Sequence, residues 1–184
     1  MRVISGLKKG HKLKSPKGLE VRPTEVRIKE SLLNIIGTIH KQSIILDLFA
    51  GSGSIGIEFL SRGAEKCYFV DISAASLSVV KYNLTHTGFD KSGVIIKKDA
   101  KVAILAFNKD NIKFDYIYLD PPFRNESLLL DVIEEIYNKQ ILATNGVIIV
   151  EHEKELVLNH ELFGFIKYKD RNYGSKTLDF YKNI

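Results

Sequence analysis

From residue 43 onward, the chain alternates between two patterns of hydrophobic and polar positions. Short unbroken apolar runs, typical of buried parallel strands, are followed by longer segments in which apolar residues recur every three or four positions, as in amphipathic helices. This order predicts right-handed βαβ units and a parallel sheet covered by helices on both faces. Strands are predicted at 44–49, 67–71, 94–97, 115–119 and 147–151, and helices near 54–62, 73–86, 100–108 and 126–138.

The two ends of the chain depart from this alternation. Residues 163–169 and 178–182 have the pattern of two strands joined by a turn around residues 172–174, which predicts an antiparallel hairpin at one edge of the sheet. Residues 1–14 contain short apolar pieces around two glycines and predict a second β-hairpin, whose loop is basic.

A helix is expected between the N-terminal hairpin and the first strand. Pro23 fits just before a helix start and Thr24 can be its N-cap, while Gly37 is expected to end the helix. We therefore expect two parts: a basic N-terminal extension at residues 1–40 and a main α/β domain at residues 41–184.

The net charge of +5 is concentrated near the N-terminus. The first 30 residues hold nine Lys and Arg against three Glu, whereas the other 154 residues hold eighteen Lys and Arg against nineteen Asp and Glu. A basic cluster of this kind is typical of proteins that bind a polyanion such as nucleic acid. The alternative is a solvated basic arm that has no partner.

The remaining composition limits the class of protein. With 45% hydrophobic residues, the chain of 184 residues can bury a core as one domain. No apolar run is long enough to predict a membrane span, and the N-terminus lacks the apolar segment of a signal peptide. The single cysteine, Cys67, excludes an internal disulfide. These features predict a cytoplasmic protein.

The first candidate site lies where the first predicted strand ends. Asp47 is followed by a turn with Gly51 and Gly53, where the backbone can bend sharply and approach a ligand closely. The next helix directs free N–H groups at that ligand, and Asp71, at the end of the second strand, can accept the hydroxyl groups of a ribose. This predicts a pocket for an adenosine-containing cofactor. Gly51, Gly53 and Gly56 also satisfy the dinucleotide fingerprint, which leaves an NAD-linked oxidoreductase open.

A second motif, Asp120-Pro121-Pro122-Phe123, directly follows the fourth predicted strand. Ligands of open α/β sheets bind at the carboxyl ends of the strands, so Asp120 is expected to face the same crevice as the glycine turn. The two prolines fix the backbone and leave their carbonyl groups able to accept hydrogen bonds. A carboxylate and fixed carbonyls can orient the exocyclic amine of a nucleobase, on which the ring of Phe123 can stack.

The second motif resembles the Asp/Asn-Pro-Pro-Phe/Tyr signature of the amino-group class of S-adenosylmethionine-dependent methyltransferases. Nearly the whole chain is similar to the RsmD-like family of 16S rRNA (guanine-N2)-methyltransferases. One departure is visible, because threonine is expected three residues after Tyr173 but Lys176 stands there and Thr177 follows. The similarity is carried by residues 2–6, 9–10, 22–24, 29–30, 47–53, 61–64, 120–123, 151–152, 173–174, 178 and 181.

The resemblance implies a Rossmann-like class I methyltransferase fold, with a seven-stranded, mostly parallel sheet, an antiparallel C-terminal hairpin and a small N-terminal extension of a β-hairpin and a helix. It implies transfer of a methyl group from S-adenosyl-L-methionine to N2 of a guanine in 16S rRNA, either free or in a partly assembled small ribosomal subunit. No metal and no membrane are expected to take part, and a monomer is the default expectation.

The resemblance also assigns roles to residues. Asp47 would lie near the amino group of the cofactor, Asp71 would bind its ribose, and Asp99 would bind its adenine amine. The implied catalytic residues, which would orient guanine N2 and stack on the base, are Asp120, Pro121, Pro122 and Phe123. The implied cofactor-binding residues are Arg22, Thr24, Asp47, Phe49, Ala50, Gly51, Ser52, Gly53, Asp71, Ile72, Asp99 and Ala100. The basic arm is expected to bind RNA through Arg2, Lys8, Lys9, His11 and Lys12.

Alternatives remain open for residues and for the whole chain. Asp47 can be an ordinary strand-end acid, Asp71 a helix N-terminal acid, and Asp99 a salt-bridge partner of the two lysines before it. His152 can line the pocket or have a structural role. The motif class also allows an adenine-N6 or cytosine-N4 DNA methyltransferase, and the fold allows a non-catalytic RNA-binding protein.

Overall fold

The computed structural model describes residues 1–16, 23–122 and 126–184, with the backbone alone for residues 23–25. A single turn of 3-10 helix lies at Gly6–Lys8. The α-helices are α1 (Pro23–Ile36), α2 (Ser54–Ser61), α3 (Ala74–Thr87), α4 (Ala100–Lys109) and α5 (Glu126–Asn138). The strands are β1 (Ile44–Asp47), β2 (Lys66–Asp71), β3 (Gly93–Lys97), β4 (Phe114–Leu119), β5 (Leu142–Glu153), β6 (Glu161–Leu162), β7 (Phe165–Tyr173) and β8 (Lys176–Asn183).

The strands form one eight-stranded sheet with the order β3-β2-β1-β4-β5-β8-β7-β6. Neighbours from β3 to β5 pair in parallel, whereas β8, β7 and β6 pair antiparallel beyond β5. This arrangement confirms the predicted fold class. The expected number of seven strands is wrong by one, because β6 pairs only Glu161 and Leu162 with β7. A strand of two residues is too short to show a hydrophobic period.

Helices cover both faces of the sheet, as predicted. On one face, α4 and α5 contribute Phe107 and Ile133 to a core that includes Leu46 of β1. On the other face, α1, α2 and α3 pack on a second core, which includes Phe59 of α2 and Ile45 of β1. Adjacent residues of β1 therefore point into opposite cores, which explains why this strand is apolar up to its last residue. Each such buried side chain contributes about 1.5–3 kcal/mol to folding.

The predicted N-terminal hairpin is reduced to one β-bridge, between Arg2 and Lys12. Val3 N donates to His11 O at 2.9 Å, and the turn of 3-10 helix that begins at Gly6 fills the loop. The chain reverses direction as predicted. The strands stay short because residues that would have extended them lie in the 3-10 turn.

A buried ion pair fixes the N-terminal extension on the main domain. Lys29 Nζ of α1 lies 2.9 Å from Glu58 Oε1 of α2. The same carboxylate oxygen accepts a hydrogen bond from Ile4 N at 2.7 Å, and Lys29 Nζ donates to Arg2 O at 2.9 Å. These hydrogen bonds support the buried pair, although the second carboxylate oxygen of Glu58, Oε2, is buried without a hydrogen-bond partner among the described residues. The basic arm is therefore held in a defined position, while the division of the chain at residue 40 stays a prediction.

Helix α1 begins at Pro23, so Thr24 lies inside the helix and the prediction that it is the N-cap is wrong. Proline fits the first helical position because the N–H that it lacks would have no partner there. The end of the helix is as predicted: Gly37 adopts a φ of 72° and donates to Leu33 O at 3.1 Å. In the described part of the chain, no helix has both the length and the hydropathy to cross a membrane.

Candidate functional site

Four carboxylates lie at, or within two residues of, the carboxyl ends of four neighbouring parallel strands. In the order of the strands β3, β2, β1 and β4, they are Asp99, Asp71, Asp47 and Asp120, here called the acidic row. The register staggers the four acids along the strands: Asp47 pairs with Phe69 and Tyr118, two residues before Asp71 and Asp120, and Asp71 pairs with Lys97, two residues before Asp99. Adjacent strands lie about 4.8 Å apart, so the row spans about 14 Å across the strands. The fold therefore places the predicted acids along a single edge of the sheet.

The glycine turn between β1 and α2 faces open space at Gly51, whereas a Cβ added to Gly53 would lie 3.1 Å from the side chain of Val80. Gly51 and Gly53 have φ values of 53° and 73°, in the left-handed region that glycine adopts readily. Gly53 N donates to Ala50 O at 2.7 Å, which closes the turn directly before α2. A Cβ added to Gly51 would meet only Phe49 O, at 4.0 Å. A ligand can therefore approach the turn and the free N–H groups of the helix start.

Gly56 has a different role, inside the fold. A Cβ added to Gly56 would lie 2.3 Å from the ring of Phe69 and 2.5 Å from Cys67 Sγ, so glycine is required for α2 to pack on β2. The third glycine of the dinucleotide fingerprint has the same packing role in proteins that bind NAD. The glycine geometry alone therefore does not separate the two cofactor predictions.

Asp71 anchors the glycine turn. Its Oδ2 accepts a hydrogen bond from Gly51 N at 2.9 Å, and its Oδ1 accepts one from Ser73 N at 2.7 Å. The N-cap of α3 is Ser73, whose side chain accepts from Ser76 N, so Asp71 is not the capping residue of this helix. Each carboxylate oxygen can accept more than one hydrogen bond, which leaves capacity for ligand hydroxyl groups.

Asp47 is buried, with 2% of its surface exposed, and its Oδ2 accepts a hydrogen bond from Gly56 N at 3.1 Å. Burial raises the pKa of this carboxyl group to about 7, and the charge of Asp71 adds to the increase, whereas the Gly56 N–H opposes it. Asp47 therefore exchanges its proton near neutral pH and ties the end of β1 to the first turn of α2.

The raised pKa of Asp47 predicts a stability that depends on pH. Between the ordinary carboxyl pKa near 4 and the native value of about 7, the folded protein binds more protons at Asp47 than the unfolded chain, so its stability decreases as pH rises through this window. Across the whole window this change is on the order of 4 kcal/mol, of which about 3 kcal/mol falls between pH 5 and pH 8. We expect Asp47→Asn to remove this contribution, as measured by urea unfolding at pH 5 and pH 8.

A matched control for this measurement is Asp110→Asn, at an exposed residue that follows α4. This variant should keep the same difference in unfolding free energy between pH 5 and pH 8 as the parent protein. If Asp47→Asn kept the same difference in unfolding free energy between pH 5 and pH 8 as the parent protein, the raised pKa of Asp47 would be contradicted.

Asp99 is the N-cap of α4. Its Oδ1 accepts hydrogen bonds from Lys101 N at 2.9 Å and from Val102 N at 3.4 Å. The structural role of Asp99 is therefore to cap α4, and not to form salt bridges with the two lysines before it. Its side chain is exposed at the sheet edge.

Two further predicted cofactor-binding residues lie near Asp99. Ile72 is 72% exposed directly after β2, whereas Ala100 is buried. An exposed aliphatic side chain between two acids offers an apolar surface to a planar ring.

Asp120 lies in a cluster of charged side chains that the sequence did not predict. Lys176 Nζ is 3.8 Å from Asp120 Oδ1, 3.7 Å from Glu151 Oε1 and 3.3 Å from Glu153 Oε1. Tyr118 OH donates to Glu151 Oε2 at 2.5 Å, and burial, followed by the charge of Glu151, raises the pKa of Tyr118 well above its ordinary value. The tyrosine therefore remains a hydrogen-bond donor, and the cluster surrounds the carboxylate of Asp120 on the side of β5 and β8.

His152 lies on the opposite face of β5 from Glu151 and Glu153. It is buried, its Nε2 lies 3.3 Å from Asp179 Oδ2, and its Nδ1 lies 2.9 Å from Glu153 O. Asp179 also pairs with Lys167 Nζ at 2.6 Å. These contacts support the structural alternative for His152 and not a place in the pocket wall.

Two of the predicted RNA-binding residues, Lys8 and His11, lie beside rings in or directly after α3. Arg2, Lys9 and Lys12 are exposed, while Lys8 and His11 are half-buried. The arm and the rings together form what we call the basic-aromatic surface. Its contacts are Lys8 Nζ at 5.9 Å from the Phe89 ring, Lys14 Nζ at 3.5 Å from the Tyr82 ring, His11 at 5.9 Å from His86, and Tyr82 stacked on His86 at 5.9 Å.

Buried Asn83 connects this surface to the glycine turn. Asn83 Nδ2 donates to Ser52 O at 2.9 Å and to Lys14 O at 3.0 Å, and its Oδ1 accepts from Lys14 N at 2.8 Å. One amide therefore fixes the arm and the turn to the same point of α3. Sequence reasoning missed Tyr82, Asn83 and His86, because their importance depends on where the arm docks.

Some predicted site residues lie outside the described part of the chain. These are Arg22 and Phe123, and for Thr24 only the backbone is described. Pro121 and Pro122 follow Asp120 at the sheet edge, half-buried and exposed respectively. Among the described residues, no group of three or more His, Cys, Asp or Glu side chains is arranged to hold a metal ion.

Comparisons with known proteins extend over the whole chain. The model of the family described as "Conserved hypothetical protein 95" matches residues 1–182. A Bacillus subtilis (strain 168) protein named "Putative rRNA methyltransferase YlbH" is 40% identical over 184 residues, which cover 99% of this chain and 98% of the relative. "Ribosomal RNA small subunit methyltransferase D" of Haemophilus influenzae is 34% identical over 155 residues, covering 84% of this chain and 80% of the relative.

Solved structures agree with these sequence matches. A Haemophilus influenzae structure described as a "putative methylase" is 31% identical, covers 100% of this chain and 98% of its own, and superposes with a TM-score of 0.79. An Escherichia coli structure described as a "putative methyltransferase" is 25% identical, covers 100% and 97%, and has a TM-score of 0.84. The chain therefore belongs to the family of conserved hypothetical protein 95, together with ribosomal RNA small subunit methyltransferase D, as the sequence motifs predicted.

Proposed function

We propose that this protein transfers a methyl group from S-adenosyl-L-methionine to the exocyclic N2 amine of a guanine in 16S rRNA. The observation that carries the proposal is the position of Asp120, Pro121 and Pro122 at the end of β4. This strand is the direct neighbour of β1, whose end leads into the glycine turn. The names of the relatives support action on rRNA, and the Asp-Pro-Pro-Phe motif supports an amine as the methyl acceptor.

The described residues fit the proposed cofactor. The open space at Gly51, the half-buried carboxylate of Asp71, exposed Ile72 and exposed Asp99 follow one another along the sheet edge. When bound, S-adenosyl-L-methionine supplies an electrophilic methyl group on a sulfonium. The glycine turn would hold its methionine part, Asp71 its ribose hydroxyl groups and Asp99 its adenine amine. The other end of the acidic row, at Asp120, is then left for the methyl acceptor.

Asp120 and the carbonyl group of Pro121 would accept hydrogen bonds from the guanine amine. The lone pair of this amine is delocalised into the base, which makes the nitrogen a weak nucleophile. Two acceptors that hold its protons favour a localised lone pair and fix its direction, and such positioning lowers the barrier of transfer. When the methyl group has passed from sulfur to nitrogen, with the S–C bond broken as the N–C bond forms, the nitrogen loses one proton, which the carboxylate of Asp120 can accept.

The basic-aromatic surface would hold the RNA. Exposed lysines of the arm can contact phosphates, and Lys14, which lies over the ring of Tyr82, adds a further positive charge to this surface. A guanine inside a helix cannot bring its amine to Asp120, so the target must be unpaired or turned out of its stack. The arm is suited to this task because Lys29, Glu58 and Asn83 hold it in a fixed position.

Charge reversal in the arm should weaken RNA binding in a way that depends on salt. We expect Lys9→Glu to lower the affinity for 16S rRNA at low salt and to reduce the slope of log K against log salt concentration by about 1, because one phosphate contact is lost. Filter binding between low and moderate salt measures the slope. Lys109→Glu, at an exposed lysine that ends α4 on the other face of the sheet, is the matched control and should leave the slope unchanged.

The direct test uses tritiated methyl groups. The protein is incubated with labelled S-adenosyl-L-methionine and with 16S rRNA or small ribosomal subunits from a strain that lacks the gene, and labelled nucleosides are identified by mass spectrometry. We expect N2-methylguanosine at one position. A folded protein that binds the cofactor and labels neither substrate would overturn the proposal.

The same experiment separates the alternatives from the sequence. Label on adenine N6 or cytosine N4 of added DNA, without label on rRNA, would favour the DNA methyltransferase. Calorimetric binding of NAD in place of S-adenosyl-L-methionine would favour the oxidoreductase. RNA binding without transfer in a single turnover would favour the non-catalytic protein.

A further inference from the structure

Lys176 occupies an unusual position at the start of β8. This strand pairs antiparallel with β5, and the register places Lys176 opposite Glu153. Its ammonium group is within 4 Å of the three carboxylates of Asp120, Glu151 and Glu153, at 3.8, 3.7 and 3.3 Å. The side chain of Lys176 is 29% exposed and that of Asp120 is 41% exposed. Both charged groups are therefore accessible to a ligand that approaches the sheet edge beside Asp120.

The neighbouring Thr177 takes no part in this cluster. It lies on the other face of β8, and its Oγ1 donates to Asn172 Oδ1 at 2.6 Å. The chain thus presents lysine at the position where the resemblance leads one to expect threonine, and the fold brings this lysine to Asp120. A threonine side chain is too short to make the same set of contacts from this position.

The surroundings keep Lys176 positively charged. Burial alone would lower the pKa of its ammonium group, but the charges of Asp120, Glu151 and Glu153 raise this pKa above its ordinary value. An ammonium group has three N–H donors and no acceptor. Lys176 Nζ is too far from Asp120 and Glu151 for an ordinary hydrogen bond, and its hydrogen bond to Glu153, at 3.3 Å, uses one of its three donors. The other donors can therefore turn to a ligand.

We propose that Lys176 is a specificity-determining residue, which donates a hydrogen bond to O6 of the guanine whose N2 amine is held by Asp120. This inference rests on the proposed function. Guanine presents an acceptor at position 6, whereas adenine and 2,6-diaminopurine present an amine there. A group that can only donate therefore attracts guanine and repels a 6-amino purine. On one edge of guanine, Asp120 would accept from the N2 amine and Lys176 would donate to O6 at the other end.

Base analogues test this role, after the target nucleotide has been mapped. Three synthetic RNA fragments are compared, with guanine, 2-aminopurine or 2,6-diaminopurine at the target position. All three bases have a 2-amino group, but only guanine has O6. Single-turnover methyl transfer is measured for each fragment. For the parent protein we expect guanine to react roughly 10- to 100-fold faster than 2-aminopurine, as a hydrogen bond from a charged donor implies.

We expect Lys176→Met to reduce this preference to within about threefold, mainly by slowing the reaction of guanine. Lys176→Arg keeps a charged donor and should restore part of the preference. Lys182→Met is the matched control, because it removes an exposed lysine of the same strand, away from Asp120, and should keep the parent ratio. Ratios are compared within each variant, so a change in folded fraction cancels.

Two results would overturn the inference and are distinct from failure of the proposed function. An unchanged ratio of guanine to 2-aminopurine in Lys176→Met, or an equal loss with all three fragments, would make Lys176 a counter-ion of the carboxylates and nothing more. Failure of the proposed function appears earlier, because the parent protein would then not methylate N2 of guanine at all.

Discussion

Replacement of Asp120 by alanine should slow methyl transfer in a single turnover by about 1,000-fold, the size of effect that loss of one positioned catalytic group has in other enzymes. The variant loses the carboxylate that orients the amine and accepts its proton. Asp120→Asn keeps an oxygen acceptor at the same place, and the methyltransferase signature allows asparagine there, so this variant should have an intermediate rate. Cofactor affinity, measured by calorimetry, should stay within a few-fold of the parent value in both variants.

The separation of rate from cofactor affinity is the essential part of this prediction. Asp120 follows β4, at the end of the acidic row away from Asp99, where the adenine is expected. A parallel loss of cofactor affinity and rate in Asp120→Ala would mean that Asp120 binds the cofactor or supports the fold. A rate near that of the parent would mean that the amine is oriented by other groups. Either result would contradict the role that we assign to this carboxylate.

The parts of the site that the sequence predicted are those that depend on local structure. An apolar run that ends in an acid gives a buried strand with its carboxylate at the sheet edge, and parallel pairing then brings the ends of four such strands together. The positions of Asp47, Asp71 and Asp120 at the sheet edge could therefore be predicted from the sequence, while their roles stay predictions. The turn at Gly51 was equally predictable, because only the local backbone conformation requires glycine there.

The parts that the sequence did not predict depend on contacts between distant segments. Lys176 reaches Asp120 only because β8 inserts between β5 and β7 in a particular register, which no local pattern encodes. The sequence shows Lys176 as a departure from a family pattern and gives no sign of its partners. Tyr82 and His86 likewise appear as ordinary exposed residues of α3 until the arm is docked beside them.

Asp71→Ala should have the opposite signature from Asp120→Ala. We expect the dissociation constant of S-adenosyl-L-methionine to rise by at least about 100-fold, because the variant loses hydrogen bonds from ribose hydroxyl groups to a charged acceptor, each of which contributes about 1.5–3 kcal/mol. It also loses the acceptor that holds Gly51 N, at 2.9 Å, and so loosens the turn that faces the cofactor. Isothermal titration calorimetry measures the constant, with Asp110→Ala as an exposed control that should bind like the parent.

A combined variant tests whether the two ends of the acidic row act independently. Asp71 follows β2 and Asp120 follows β4, with β1 between them, and no contact between the two side chains is needed for either role. Effects at separate sites without shared partners add. The cofactor affinity of Asp71→Ala/Asp120→Ala should therefore lie within a few-fold of that of Asp71→Ala alone. A further loss in the double variant would show that Asp120 contributes to cofactor binding once the ribose contact is gone, and the methyl donor and acceptor would then not be held by separate ends of the row.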